Sequence, residues 1–389
     1  MASNQRENAR KEKQLNKERK IRIVIWVILI VTVFGLAAMR VAEVDFSSLK
    51  DKITHGKLFF STDADAYPYT LDTSSGAKLE FVNDKIVVLT DLSCKVLNPS
   101  DAKEIYTFAS GYANPVMTTA GKYLFTIDQG GTRIRLDNTS ENVYESTLDS
   151  SVICGDVSKN GNVIYAVRNS SNKTQIVVMN ESLKKLATFG VSDGYVVAVA
   201  IDVSGKKCAY ATVNSKNAKT VTTLHTINVG DESDRAKFEY PESDVLDLQY
   251  ADSRDLYYIG NESVHLIKSQ KDDKEVYPHG SVNTVAFNYT DDKELVYVYS
   301  KYADASENYV NYINSGGKVK TTVELRQKPK FVSADNEICL LFSDKVVTYS
   351  LTNGEQKNTF KCDDSVTSAH KLSSKIFVTR HQLVDVLEE

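Results

Sequence analysis

Few residues of this 389-residue chain have the types and spacing that metal binding or catalysis requires. The loop at 156–162, DVSKNGN, places oxygen ligands at the spacing of a calcium loop, but its twelfth position is Val167 instead of a bidentate Glu. Since the same place in other units is a plain polar turn, we expect a hairpin turn here. Neither HxH nor HExxH spacing occurs, so the histidines predict no zinc site. They are His55, His225, His265, His279, His370 and His381.

Motifs of common enzyme and nucleotide sites are also missing, among them GxSxG, the P-loop and GxGxxG. Carboxylates are plentiful, yet nothing in their spacing selects two of them as an acid and a base. The sequence therefore predicts no catalytic residue, cofactor or metal ligand, and an enzyme is the less favoured alternative. Four polar residues could face a central channel, where they would bind a ligand or only hydrate the channel: Asp156, Asp202, Gln249 and His370.

The five cysteines are odd in number, far apart and without CxxC spacing. They are Cys94, Cys154, Cys208, Cys339 and Cys362. This pattern is not that of a disulfide framework, and buried thiols acting as small apolar side chains are expected. One disulfide, such as Cys339 with Cys362, stays open as an alternative.

The elements that would position these residues are strands. Short runs rich in Val, Ile, Tyr and Phe, separated by turns of Asn, Asp, Gly and Ser, recur with a period near forty residues. The most apolar run of each unit lies at 85–90, 122–127, 162–167, 207–212, 255–260, 294–299, 338–343 and 375–380. A further strand precedes each run and another follows it. Four strands in forty residues are typical of a β-propeller blade.

Seven complete units fill about 76–361, whereas 366–387 contains only three strands. The sequence therefore predicts an all-β propeller of eight blades over 57–389, with seven blades as the alternative. The strand KLFFST at 57–62 is expected to complete the last blade. Pairing the two ends of the chain would remove the exposed strand edges of an open sheet.

The N-terminal region predicts a membrane anchor. Residues 23–39 are uncharged and strongly apolar, include Trp26 and lie between Arg22 and Arg40. Their insertion into a bilayer is favoured by about 3 to 7 kcal/mol. The leader 1–22 has net charge +5 and the remaining chain −9, so the leader is expected in the cytoplasm and the propeller outside, joined by a linker at 40–56. A cleaved signal peptide is the alternative.

The repeats over about 57–389 resemble the exported bacterial propellers of the WD40-like and quinoprotein-like superfamilies. With the N-terminal anchor, the chain is similar to an uncharacterised domain-of-unknown-function family of membrane-anchored propellers in clostridial Gram-positive bacteria. It departs from WD40 units in lacking their Gly-His and Trp-Asp dipeptides, and it has no Trp after residue 26. Because quinoprotein blades carry Trp docking motifs, neither cofactor nor activity is carried over.

We therefore expect a binding or scaffolding module at the cell surface, anchored in the cell membrane by a single span. A protein, peptide or neutral glycan is the expected ligand, with an envelope or membrane protein as the foremost partner. The −9 charge disfavours nucleic acid and polyanionic wall polymers. The alternatives are an extracytoplasmic lyase or glycoside hydrolase and a transmembrane signalling component.

Overall fold

The computed structural model describes residues 66–73, 76–171 and 173–387. The predicted anchor at 23–39, with Arg22, Trp26 and Arg40, the linker at 40–56 and the strand at 57–62 lie outside these residues. Within the described ranges, no helix has the length and apolar character needed to cross a membrane.

Eight antiparallel four-stranded sheets make up the described chain, so the all-β, eight-bladed prediction is confirmed and the seven-bladed alternative is wrong. The N-terminal strand is β1 (Tyr69–Thr70). Blade 1 contains β2 (Ala77–Val82), β3 (Lys85–Thr90), β4 (Ser93–Leu97) and β5 (Glu104–Ala109). Blade 2 contains β6 (Pro115–Ala120), β7 (Tyr123–Asp128), β8 (Arg133–Asn138) and β9 (Asn142–Thr147). Blade 3 contains β10 (Val152–Val157), β11 (Val163–Asn169), β12 (Lys173–Met179) and β13 (Lys185–Val191).

The remaining blades follow in chain order. Blade 4 contains β14 (Tyr195–Ile201), β15 (Lys207–Lys216), β16 (Lys219–Asn228) and β17 (Ala236–Pro241). Blade 5 contains β18 (Val245–Tyr250), β19 (Leu256–Gly260), β20 (Val264–Lys268) and β21 (Asp272–Tyr277). Blade 6 contains β22 (Asn283–Tyr289), β23 (Leu295–Ser300), β24 (Asn308–Ile313) and β25 (Val319–Leu325). Blade 7 contains β26 (Phe331–Ala334), β27 (Glu337–Leu341), β28 (Lys345–Ser350) and β29 (Gln356–Lys361). Blade 8 contains β30 (Val366–Leu372), β31 (Lys375–Arg380) and β32 (Leu383–Leu387).

Blade 8 is completed from the N-terminal end of the described chain, because β1 pairs with β32. The strand in this place is Tyr69–Thr70, whereas the sequence predicts 57–62 for it. Tyr69 lies opposite Val384, and Thr70 opposite Leu383. Two further hydrogen bonds extend this closure: the backbone N–H of Leu71 donates to the Gln382 carbonyl, and the Gln382 side chain donates to the Thr73 carbonyl. Blade 8 thus has four strands, like the other seven blades.

Burial explains why the second strand of each blade is the most apolar. These strands pack against neighbouring blades on both faces, and every residue of β7 is buried. One core cluster, for example, combines Ile164 and Ile176 of blade 3 with Val199 and Tyr210 of blade 4. Tyr297, in the second strand of blade 6, is completely buried and therefore packs in the core as expected from its position in a central strand.

Candidate functional site

The first strand of every blade lies at one end of its sheet, and first strands of neighbouring blades contact one another at six of the eight junctions. These strands therefore form the wall of the central channel. Because strands alternate in direction, each first strand begins at the end of the channel where the preceding blade's fourth strand finishes. We call this end the channel mouth.

A β-bulge occurs at the same place near the start of five first strands. Each register shift leaves one residue without a partner, in blades 3, 4, 5, 6 and 8. These residues are Ile153, Val197, Leu246, Val285 and Thr367. Bulges re-aim side chains and are frequent beside functional sites. Four of the five are aliphatic. Ile153 and Val285 pack against the cores between blades, whereas Val197 and Leu246 are exposed.

Two of these bulged residues, together with a nearby tyrosine, form an exposed apolar patch. Val197 is 42% exposed, Leu246 of the next blade is 49% exposed, and Tyr195 is 66% exposed. Lys173 of blade 3 lies over the Tyr195 ring, with its Nζ 5.2 Å from the ring centroid. Adjacent exposed large apolar side chains on a soluble domain are typical of an interaction site. We refer to Tyr195, Val197 and Leu246 as the mouth patch.

Charged groups line the channel further along the same strands. Burial raises the pKa of Asp156 to about 6, although backbone N–H groups of Ile201 and Val157 donate to its carboxylate and Lys293 attracts it. Burial also raises the pKa of Asp247, against a 2.8 Å hydrogen bond donated by the Tyr289 hydroxyl. Both carboxylates are thus held by structural hydrogen bonds.

A second charged set lies in blades 1 and 2. Lys78 forms a 2.7 Å ion pair with Glu80, and the Thr119 hydroxyl donates to Glu80 at 3.0 Å. Burial would raise the pKa of Glu80, but Lys78 and the hydrogen bonds together lower it. Lys78 also lowers the pKa of Asp247 in blade 5, so charges from opposite blades interact across the channel.

The four residues predicted to face the channel have different surroundings. Asp156 and Gln249 are half-buried on first strands, and Gln249 donates a 3.1 Å hydrogen bond to the Tyr250 carbonyl. His370 is buried between Phe81 and Phe331, and this burial lowers its pKa to about 4. Asp202 is completely buried. The structure does not bring the four into one site, since they belong to blades 3, 4, 5 and 8.

Asp202 instead organises the turn after β14. Its carboxylate accepts hydrogen bonds of 2.7 Å from the backbone N–H groups of Lys206 and Lys207, and one of 2.5 Å from the Ser204 hydroxyl. Gly205 in this turn has a φ of +67°, a conformation that glycine adopts without steric cost. The buried carboxylate is therefore explained by the turn that it stabilises.

The loop considered for calcium is also a turn. The backbone N–H of Gly161 donates to the Ser158 carbonyl, and the Ser158 hydroxyl donates to the Asn162 carbonyl at 2.9 Å. Among the described residues, no group of three or more His, Cys, Asp or Glu side chains is arranged to hold a metal ion. All five cysteines are free thiols, with Cys94, Cys208 and Cys339 buried.

The eight four-stranded sheets define this chain as a β-propeller, and its fold is similar to that of WD40 domains. Similar solved structures include the C-terminal WD40 domain of Sif2, at 12% identity and a TM-score of 0.58, covering 82% of this chain and 97% of that one. Sqt1 of Saccharomyces cerevisiae is 10% identical with a TM-score of 0.54, covering 83% and 98%. At these identities the likeness concerns the fold alone.

The family follows from the sequence itself. The model of a family of unknown function, DUF5711, matches residues 66–388, and the chain belongs to this family. No curated protein matches the chain. The resemblance to a WD40-like domain family of unknown function is thus confirmed, although the WD40 dipeptides are missing.

The mouth patch was not predicted from the sequence. Its signal lies in the first strands, where an aliphatic residue recurs at one place in four consecutive units. Aligning the units on their second strands, which are the most apolar, hides this recurrence because each bulge adds one residue.

Proposed function

We propose that this chain is a membrane-anchored, extracytoplasmic propeller that binds an apolar segment of a protein or peptide partner at its channel mouth. The observation that carries the proposal is the mouth patch, where Tyr195, Val197 and Leu246 expose large apolar surfaces near the starts of two neighbouring first strands. A propeller suits this role, since rigid blades hold such a surface in place. The apolar segment 23–39 and the charge difference between leader and body support the location.

The proposed location is tested in cells that produce the whole chain. Protease added to intact protoplasts should degrade the propeller and leave a fragment containing the leader. A propeller that is protected in intact protoplasts, and is degraded only after lysis, would contradict the extracytoplasmic location.

The proposed binding surface is tested by site-specific photocrosslinking in the native membrane. A photoreactive amino acid at Leu246 should crosslink one partner protein reproducibly. The matched control is the same amino acid at Leu183, which is 44% exposed and lies in a turn at the opposite end of its blade. The double change Val197→Asp and Leu246→Asp should abolish recovery of that partner, whereas Leu183→Asp should not. Equal crosslinking from both positions would contradict the mouth patch as the binding surface.

A further inference from the structure

A cavity of about 730 Å³ lies between blades 3 and 4, on the outer side of the ring. One wall is the fourth strand of blade 3, β13, with Phe189 and Val191. The other wall consists of Tyr210, His225 and the loop at 230–234 in blade 4. We call it the side cavity. It shares no residue with the mouth patch.

The floor of the side cavity is aromatic and polar. Tyr210 and His225 are cross-strand partners whose rings are stacked, with centroids 4.4 Å apart and planes 6° apart. Asp234 joins them: the Tyr210 hydroxyl donates to its carboxylate at 3.1 Å, and His225 Nδ1 lies 2.9 Å from it. Burial would raise the pKa of Asp234, but His225 and Lys237 lower it, so the carboxylate is ionised at neutral pH.

Blade 5 contains the same set of side chains in a closed arrangement. Tyr258 and His265 are cross-strand partners whose rings lie edge to face, with centroids 5.8 Å apart, instead of stacking as Tyr210 and His225 do. His265 Nδ1 lies 2.9 Å from Asp273. Here the preceding blade contributes a ring, that of Tyr240. Its centroid lies 4.3 Å from that of Tyr258 and 4.5 Å from that of His265. The Tyr240 hydroxyl donates to Asp273 at 3.1 Å.

The register of the outer strands shows why only one of these interfaces is open. Tyr240 of β17 pairs with Thr222, three residues before His225. The corresponding pair in blade 3 is Val191 of β13 with Thr174, three residues before Val177, which occupies the place of His225. A valine therefore stands where the next interface has a tyrosine. Valine lacks the ring that would cover the Tyr–His pair of blade 4.

We infer that the side cavity binds a phenol ring from outside the chain, packed against Tyr210 as Tyr240 is packed against Tyr258 at the next interface, and that the ring belongs to a tyrosine of a basic peptide. The ring follows from the internal template of Tyr240 and Tyr258, whose centroids are 4.3 Å apart. Tyr210 itself already stacks on His225 and donates to Asp234, so the added ring contacts Tyr210. The positive charge follows from the cavity wall, where Asp193, Asp231, Glu232 and Asp234 outnumber the single Lys237.

Short peptides separate the contributions of ring and charge to this binding. Amidated Lys-Tyr-Lys should bind the propeller saturably, with a Kd of about 1 mM or tighter. Lys-Ala-Lys, without the ring, should show no saturable binding in calorimetry or NMR titration. Glu-Tyr-Glu should bind about tenfold more weakly or worse because of like-charge repulsion. Absence of saturable Lys-Tyr-Lys binding, or equal binding of Lys-Ala-Lys, would overturn the inference.

Two variants locate the binding site. Val191→Tyr supplies the missing ring from within the chain and should reduce Lys-Tyr-Lys affinity about tenfold or more, because the added side chain competes for the same space. Glu232→Lys changes an exposed residue, so the fold is unaffected, and it should weaken binding about threefold. Glu275→Lys, on the outer strand of blade 5, is the matched control and should leave Kd unchanged. Unchanged affinity in Glu232→Lys and in folded Val191→Tyr would refute binding in the side cavity.

Discussion

The interface between blades 3 and 4 and the interface between blades 4 and 5 share a Tyr–His–Asp set but differ in what covers it. Tyr240 covers the set in blade 5: its ring lies tilted against Tyr258 and His265, and its hydroxyl donates a hydrogen bond to Asp273. For the set in blade 4, the corresponding residue of the preceding blade is Val191, and a cavity of about 730 Å³ lies beside Tyr210 and His225. The two interfaces thus differ in the outer-strand residue, Tyr240 or Val191, and in the orientation of the second-strand tyrosine towards its histidine. The circle of eight blades closes in either case.

The largest expected effect comes from opening the closed interface. Tyr240→Ala removes a buried ring and its hydrogen bond to Asp273, so the free energy of unfolding should fall by about 3–5 kcal/mol. Phe189→Ala is the matched change at the open interface. Because Phe189 is only half-buried, its loss should cost about 1–2 kcal/mol. Urea denaturation followed by circular dichroism measures both.

Binding of a small phenol can test the space that Tyr240→Ala opens. p-Cresol has the phenol ring of tyrosine, so it should raise the melting temperature of Tyr240→Ala more than that of the Phe189→Ala variant. Equal losses of stability in the two variants would show that the two interfaces are packed alike.

The next effect concerns the carboxylate of each set. Asp273→Asn weakens the hydrogen bonds from His265 and Tyr240, and Asp234→Asn weakens those from Tyr210, His225 and Lys237. Each change should lower the free energy of unfolding by about 1.5–3 kcal/mol at pH 7, the range for hydrogen bonds to charged groups. A cost below about 0.5 kcal/mol at either position, roughly the spread for surface substitutions, would show that the carboxylate does not stabilise its interface.

The pH dependence of stability should report on Asp234. Its pKa is lowered in the folded protein, so the unfolded chain binds the proton more tightly. The stabilisation is therefore complete above the ordinary carboxyl pKa of 3.8 and is lost as the pH falls through the lower folded value. The stability difference between wild type and Asp234→Asn should be constant from pH 6 to 8 and shrink below about pH 4. A difference that instead grows on acidification would contradict the ion-paired geometry.

The smallest effect is expected from closing the open interface. Val191→Tyr should place a ring beside Tyr210 and His225 and raise the free energy of unfolding by about 1 kcal/mol, as other cavity-filling changes do. The reverse change, Tyr240→Val, should be destabilising. If Val191→Tyr instead costs more than about 1 kcal/mol, the side cavity lacks space for a ring and the comparison fails.

The ring of blades was predictable because it rests on local patterns. Runs such as KIVVLT at 85–90 coincide with β3, since the second strand is buried on both sides and its residues are apolar throughout. The incomplete last unit at 366–387 revealed that the fourth strand of blade 8 must come from elsewhere in the chain. The number of strands was predictable because the eight units are similar, so that each helps to locate the strand boundaries of the others.

The two candidate sites were not predictable, since both depend on registers between strands that are distant in sequence. His225 and His265 look unrelated along the chain, yet each stands opposite a tyrosine of the second strand. The sequence predicts Asp202 as a channel residue because it follows a first strand, but its carboxylate accepts hydrogen bonds from the backbone of its own turn. A polar residue near a strand end cannot be assigned to channel or turn until its hydrogen-bond partners are known.

The closure of blade 8 has a consequence for the timing of synthesis. Thr73 and Gln382, which hydrogen-bond across this closure, are 309 residues apart. At typical translation rates, β1 therefore waits about 15 to 60 s before its partner strand exists. During that interval the growing chain is an open arc whose first and latest strands can pair with another nascent chain. β1 is only two residues long, and so short a strand limits pairing with another chain.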